Sequence, residues 1–252
     1  MIITKIQYLP LMENTDTGGD ILARISKSEL TKLEIIQAAT RSFLEHGYTN
    51  SSLKHISGEL EMSTGNLTFY FPTKEHLLAA LIDILCDFQW KMMEIEAQDG
   101  ISSLLAICLE MTAMAVMCEE DPIAKDIYLS AYSQALPLEI IRKNDAKRAQ
   151  AVFGDYRPEW NDEQFNDAEI LVSGIEYATL MTTNPQVPLE KRICGAINQI
   201  MCIFNVPEDI RKVKLRKVMA MDYRKIGRTV LTKFKQYVED VTEQAFLDLL
   251  KG

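Results

Sequence analysis

Residues 51–74, SSLKHISGELEMSTGNLTFYFPTK, constrain this chain more than any other stretch. Leu53, Ile56 and Leu60 recur at i, i+3 and i+7, which predicts one apolar helical face over 52–60, with Ser51 or Ser52 available as its cap. Residues 61–63 are too few for anything but a turn. Ser63 then opens a second helix over 64–71, because its hydroxyl can accept an orphan backbone N–H. Pro72 closes that helix, since the residue before a proline is pushed out of the helical region. Helix, three-residue turn and short helix is the spacing of a helix-turn-helix, whose second helix offers its N-terminal residues to the major groove of DNA.

The surrounding residues extend the pattern. Ala38, Ala39, Phe43, Gly47 and Tyr48 precede it, Ser52, Ile56, Ser63, Gly65, Leu67 and Phe71 lie in it, and Lys74 and Leu77 follow. In this spacing the block, roughly residues 30–85, resembles the N-terminal domain of the tetracycline-repressor (TetR) family of bacterial regulators. Three positions depart from the family pattern: Ser57 replaces a small Ala, Glu61 a turn Gly, and Thr68 a Tyr that commonly contacts phosphate. Glu61 is therefore expected in a left-handed conformation, at a cost of ~1 kcal/mol.

The resemblance implies an all-α fold, with a three-helix DNA-binding domain joined by a long helix to a larger helical bundle. The expected division is an N-terminal extension over 1–26, flexible or reaching DNA or a partner subunit, a helix-turn-helix domain over 27–85, and a ligand-binding and dimerisation domain over 86–252. Composition agrees with the fold class. Eight prolines and eleven glycines in 252 residues are few, and strand-like alternation is hard to find. Breaks at 98–100, 121–122, 137, 154–162, 184–188, 207 and 222 predict helices over about 102–120, 122–135, 138–152, 162–183, 189–205, 208–220 and 224–250, after a first helix over 28–46 and a long one over 74–97.

No apolar run reaches the ~18–20 residues that a membrane helix needs, and the start lacks a signal-peptide cleavage pattern, so a cytoplasmic protein is expected. Five scattered cysteines without C-x-x-C spacing read as free thiols, and His46, His55 and His76 have no metal-ligand spacing, so neither metal nor cofactor is expected. A nucleophile with a nearby base and a phosphate-cradling glycine loop are both missing from the sequence, which argues against an enzyme. The net charge is −9, and residues 27–85 carry five Lys/Arg against seven Asp/Glu. Such a domain would bind DNA with modest non-specific affinity.

The resemblance makes the chain a ligand-responsive transcriptional regulator, a repressor as most in the family, acting as a homodimer on a near-palindromic double-stranded operator. A co-regulator on the same fold that does not read DNA is the alternative. On the matched positions, Thr64, Asn66 and Phe69 are expected at base edges, and Ser52, Thr68, Tyr70 and Lys74 at phosphates. The 102–120 segment is apolar around most of its circumference and so is buried. Its methionines suit an adaptable cavity or an ordinary core alike. Together with nearby tyrosines they make Met111, Met114, Tyr128, Tyr132, Tyr177 and Met181 candidate contacts for an unknown small-molecule effector. Arg142, Lys143, Lys147 and Arg148 read as a solvated basic strip. The 189–205 segment and the final helix are candidate dimer faces.

Overall fold

A computed structural model describes residues 27–98, 101–182 and 186–250, and side chains there except at 27, 93–98 and 241–250. The N-terminal extension expected over 1–26 lies outside the described residues. Among those described are eleven α-helices, one 3-10 turn at Gly154–Tyr156 and no strand.

Three helices form the N-terminal head: α1 (Lys27–His46), α2 (Leu53–Glu59) and α3 (Thr64–Tyr70). Its core is the apolar set that the sequence spacing marks. Ile35, Ala38 and Phe43 of α1 meet Ile56 of α2 and Leu67 of α3, all fully buried. Both short helices are capped as their serines predict: Ser52 Oγ accepts from the His55 N–H and Ser63 Oγ from the Asn66 N–H. Glu61, in the turn between them, takes φ +52°, the left-handed conformation expected of it.

α4 (Lys74–Gln98) runs from the head into the second part of the molecule without interruption. The division expected at 85/86 therefore falls inside a helix that both parts share. Around it are α5 (Ser103–Glu120), α6 (Pro122–Ser133), α7 (Ala135–Phe153), α8 (Asp162–Met181), α9 (Leu189–Ile203), α10 (Glu208–Met219) and α11 (Tyr223–Leu250). Helix starts again follow local chemistry. Asp121 Oδ1 accepts from the Ile123 and Ala124 N–H groups ahead of a proline at the first helical position, and Asn161 and Gln164 form a reciprocal capping box. α7 begins earlier than expected because Pro137 lies in its first turn, where a missing N–H is harmless.

α5 is the central element, as an all-round apolar helix must be, and α4, α6, α8, α9, α10 and α11 pack on it. α11 passes close to it at Gly227, where a Cβ would stand 3.2 Å from the Ala113 carbonyl and from Val116. A larger residue there would make the Ala113 carbonyl or Val116 give way by a few tenths of an ångström.

Parts of the two expected dimer faces are turned inward, while Val241, Ala245, Phe246 and Leu249 of the final helix lie outside the described side chains. α9 buries Ile193, Ala196, Ile197, Ile200 and Met201 within the chain. α11 lays Phe234 and Val238 into the core, with Phe234 5.4 Å from Phe88 of α4. These buried residues belong to the core of the subunit itself. α8 has the reverse character. Ile170, Leu171 and Met181 are exposed on it, and Gly174 and Ala178 share their outward side.

Candidate functional site

On α3, Leu67 is fully buried while Thr64, Asn66 and Phe69 face solvent, Phe69 with 80% of its surface exposed. Those are the three residues expected at base edges. Thr64 has a second role, since its hydroxyl lies 3.1 Å from that of Ser57, which also donates to the Lys54 carbonyl. The departure at Ser57 thus ties α2 to α3. Of the expected phosphate contacts, Ser52 is exposed at the α2 N-terminus and Thr68 donates its hydroxyl to the Gly65 carbonyl. Tyr70 stands edge-on to Phe69 at 5.2 Å.

Lys74 has partners within the head itself. Its ammonium donates to the carbonyls of Tyr48 at 2.7 Å, Ser51 at 3.0 Å and Thr49 at 3.4 Å, and lies 4.2 Å from the centre of the Tyr48 ring. An ammonium has three protons, and here each has a backbone acceptor. Lys74 fixes the α1–α2 loop. Partial burial draws its pKa below the ordinary lysine value, and Asp126 opposes that shift.

The same loop is gripped from the other side. Asp126 of α6 accepts from the Thr49 N–H at 2.8 Å and from the Thr49 hydroxyl at 2.5 Å. Gly47, at φ +84°, lets the chain pass close: a Cβ there would stand 2.7 Å from Asp126 Oδ2. Glu75 of α4 accepts from the Leu136 N–H at 2.9 Å, capping α7, which has no side-chain cap of its own. Head and bundle are therefore joined by directional bonds as well as by α4.

A cavity lies within the bundle, with about 70 Å³ open to the centres of water-sized spheres. Helices α4 to α9 line it. Met111, Met114, Tyr128 and Tyr132, four of the six expected ligand contacts, are among the lining residues. Tyr177 and Met181 are not. On α8 the cavity side is set by Glu169, Val172 and Glu176, at i, i+3 and i+7. Met181 falls on the outward side with Ile170 and is 48% exposed.

Part of the cavity's polar lining, Tyr128 and Tyr132, follows the sequence reading, while the ion cluster around Arg148 does not. Arg148, expected on a solvated strip, is 4% exposed. It pairs through both terminal nitrogens with the Glu110 carboxylate and reaches Asp145 at 3.3 Å. Tyr132 donates its hydroxyl to Glu176 at 2.8 Å. Burial, reinforced by the charge of Asp145, pushes the Glu169 carboxyl up to about 9 and that of Glu176 up to about 8. Burial also lifts Asp145 to about 6, against the pull of Arg148. The available signal was on α8, where two carboxylates share a helical face with Phe165 and Val172.

Among curated proteins no relative of this chain is found. Among solved structures, the TetR family protein CprB from S. coelicolor A3(2) is 20% identical, with a TM-score of 0.40 over 84% of this chain and 99% of that one. Salmonella enterica GusR is 18% identical, with a TM-score of 0.40 over 84% and 98%. Mycobacterium smegmatis AmtR is 16% identical, with a TM-score of 0.39 over 78% and 95%. Residues 35–81, from the core of α1 to the start of α4, match the profile of the bacterial regulatory proteins of the tetR family. With that segment folded as α1 to α3 around the expected core, the chain carries the N-terminal helix-turn-helix domain of the tetR family.

Proposed function

We propose that this chain is a ligand-responsive transcriptional repressor that binds a near-palindromic operator as a homodimer. The observation that carries the reading is the outward side of α3, where an apolar ring, Phe69, stands 80% exposed beside Asn66 while Leu67 anchors the helix from behind. Asn66 can bond an adenine bidentately and Phe69 can touch a thymine methyl. Thr64 would stand beside them. Ser52, Thr68, Tyr70 and the exposed Lys54 would meet phosphates, with Lys74 holding the loop behind them. Two heads on a two-fold axis would enter successive major grooves about one helical turn apart.

Helix α6 would carry the ligand response. Tyr128 and Tyr132 line the cavity, and Asp126 at the same helix's start holds the α1–α2 loop. A ligand that moved α6 would reset the head, provided that its affinity differs between the two arrangements.

The test is a pair of titrations, on the operator taken from the gene's own promoter and on random DNA. Asn66→Ala should cost ~1–3 kcal/mol on the operator and much less on random DNA, because base contacts specify and phosphate contacts position. Equal losses on both would remove Asn66 from sequence reading. A second reading, a co-regulator that does not bind operator DNA, is favoured by the acidic head and by the engagement of Lys74 with the backbone. Absence of operator binding by the intact chain at any salt concentration would favour it.

A further inference from the structure

Four carboxylates and one guanidinium meet in the cavity, and their partners are unequal. Arg148 is engaged by Glu110 and Asp145, and Glu176 accepts the Tyr132 hydroxyl. Glu169 is 2% exposed, lines the cavity, and its buried Oε2 meets no hydrogen-bond donor among the described residues. A carboxyl buried without a donor is costly and is the group most readily satisfied by an incoming one. The rest of the wall is largely apolar, with Met111, Met114 and Ile200 within it. Among the described residues no group of three His, Cys, Asp or Glu is placed to hold a metal ion. An organic head group fits this arrangement better than a bare divalent cation does. An anion would face four carboxylates and a guanidinium whose two terminal nitrogens already engage Glu110 and Asp145.

We propose that the cavity is a receptor site for an amphipathic organic cation, an amine or guanidine whose head bonds Glu169 and Glu176 and whose apolar body lies against Met111, Met114 and Ile200. This names the effector class of the ligand-responsive reading above and rests on it only in calling the occupant an effector. The groups facing Glu169 are Arg142, Asp145 and Arg148 of α7 and Glu176 of its own helix; Glu176 also faces Glu110 of α5 and Tyr132 of α6, while α9 brings apolar side chains. Their balance leaves Glu169 and Glu176 protonated in the empty cavity at neutral pH. A bound cation would displace those protons, so affinity should rise with pH.

The experiment is calorimetric titration of the full chain, without DNA, with 4-phenylbutylamine, 4-phenylbutanol and 4-phenylbutyrate, three probes that share one apolar body. The amine should bind about tenfold or more tightly than either of the others. It should also gain about tenfold between about pH 6.5 and about pH 8.5 while the alcohol changes little. Glu169→Gln keeps the shape, removes the charge and should bring the amine down to the level of the alcohol; Glu176→Gln should do so in part. The alcohol or the acid binding as well as the amine, no binding of the amine, or an undiminished amine preference in Glu169→Gln would each overturn the proposal. Amine binding by a chain with no operator affinity would leave this site standing and sink the regulator reading. Operator binding with no amine preference would do the reverse.

Discussion

Asp126 and Thr49 meet twice, through the Thr49 backbone N–H at 2.8 Å and its hydroxyl at 2.5 Å, and in doing so join the bundle to the loop that leads into the helix-turn-helix. The contact exists because Gly47 has no side chain; a Cβ there would press on the same carboxylate at 2.7 Å. Two substitutions should therefore report on one bond. Asp126→Ala should cost ~1–3 kcal/mol of stability by leaving donors without their acceptor. Gly47→Ala should cost ~1–2 kcal/mol from its left-handed backbone, and more from expelling Asp126. Urea unfolding of the single and double variants should give a coupling of at least ~0.5 kcal/mol. Strict additivity would mean that the two residues act independently.

Lys74 and Lys54 should behave as opposites. Lys74 has its three protons on backbone carbonyls, whereas Lys54 is exposed on α2. Lys74→Met should lower stability by ~1–3 kcal/mol because three carbonyls lose a charged donor. Its effect on the salt dependence of DNA binding should be small. Lys54→Ala should leave stability nearly unchanged and flatten the salt dependence by about one ion. Titration at several salt concentrations, with melting curves for each variant, separates the two roles. A flattened slope for Lys74→Met in a fully stable protein would make it a phosphate contact.

The head was legible because its signals are local. The serine caps, the proline stop, the left-handed Glu61 and the apolar spacing each act within a few residues. Lys74 shows the limit of that reading: its position in the pattern is right, but its partners, Tyr48, Thr49 and Ser51, are some 25 residues away and were not available to spacing arguments. Arg148 is the same case in the bundle. In sequence it continues a run of Arg142, Lys143 and Lys147; in the fold only Lys143 and Lys147 stay exposed, because α7 turns Arg148 toward Glu110 of α5. Methionines located the cavity, but tertiary pairing of charges decided its chemistry.

The outward side of α8 should hold the subunits together. Ile170, Leu171 and Met181 are exposed there, each about half or more, and Gly174 and Ala178 leave room for close approach of a second helix. An isologous interface uses one patch twice, so one substitution places two like charges across the axis. Leu171→Glu should lower the dimer affinity at least about tenfold, or ~1.4 kcal/mol, without changing the circular-dichroism spectrum. Sedimentation at micromolar concentration checks this. If Leu171→Glu sediments as the parent does, the interface lies elsewhere.

Stability should depend on pH through the cavity carboxyls. Glu169 is raised to about 9 and Glu176 to about 8, chiefly by burial, so both bind protons in the folded chain at pH values where the unfolded chain has lost them. Below the ordinary carboxylate range both states are protonated and the two residues are best tolerated. As pH rises from about 4.5, the unfolded chain releases its protons and gains relative to the folded one, and the loss continues until the folded carboxyls ionise. Unfolding free energy should therefore fall between about pH 5 and about pH 8 more steeply than surface charge alone would give. Glu169→Gln removes the strongest contributor. It should be more stable than the parent by ~1–3 kcal/mol at about pH 8, with that advantage shrinking toward about pH 5. Urea titrations of both proteins at the two pH values measure the difference directly. An advantage that stayed constant with pH would mean that Glu169 carries the same charge folded and unfolded.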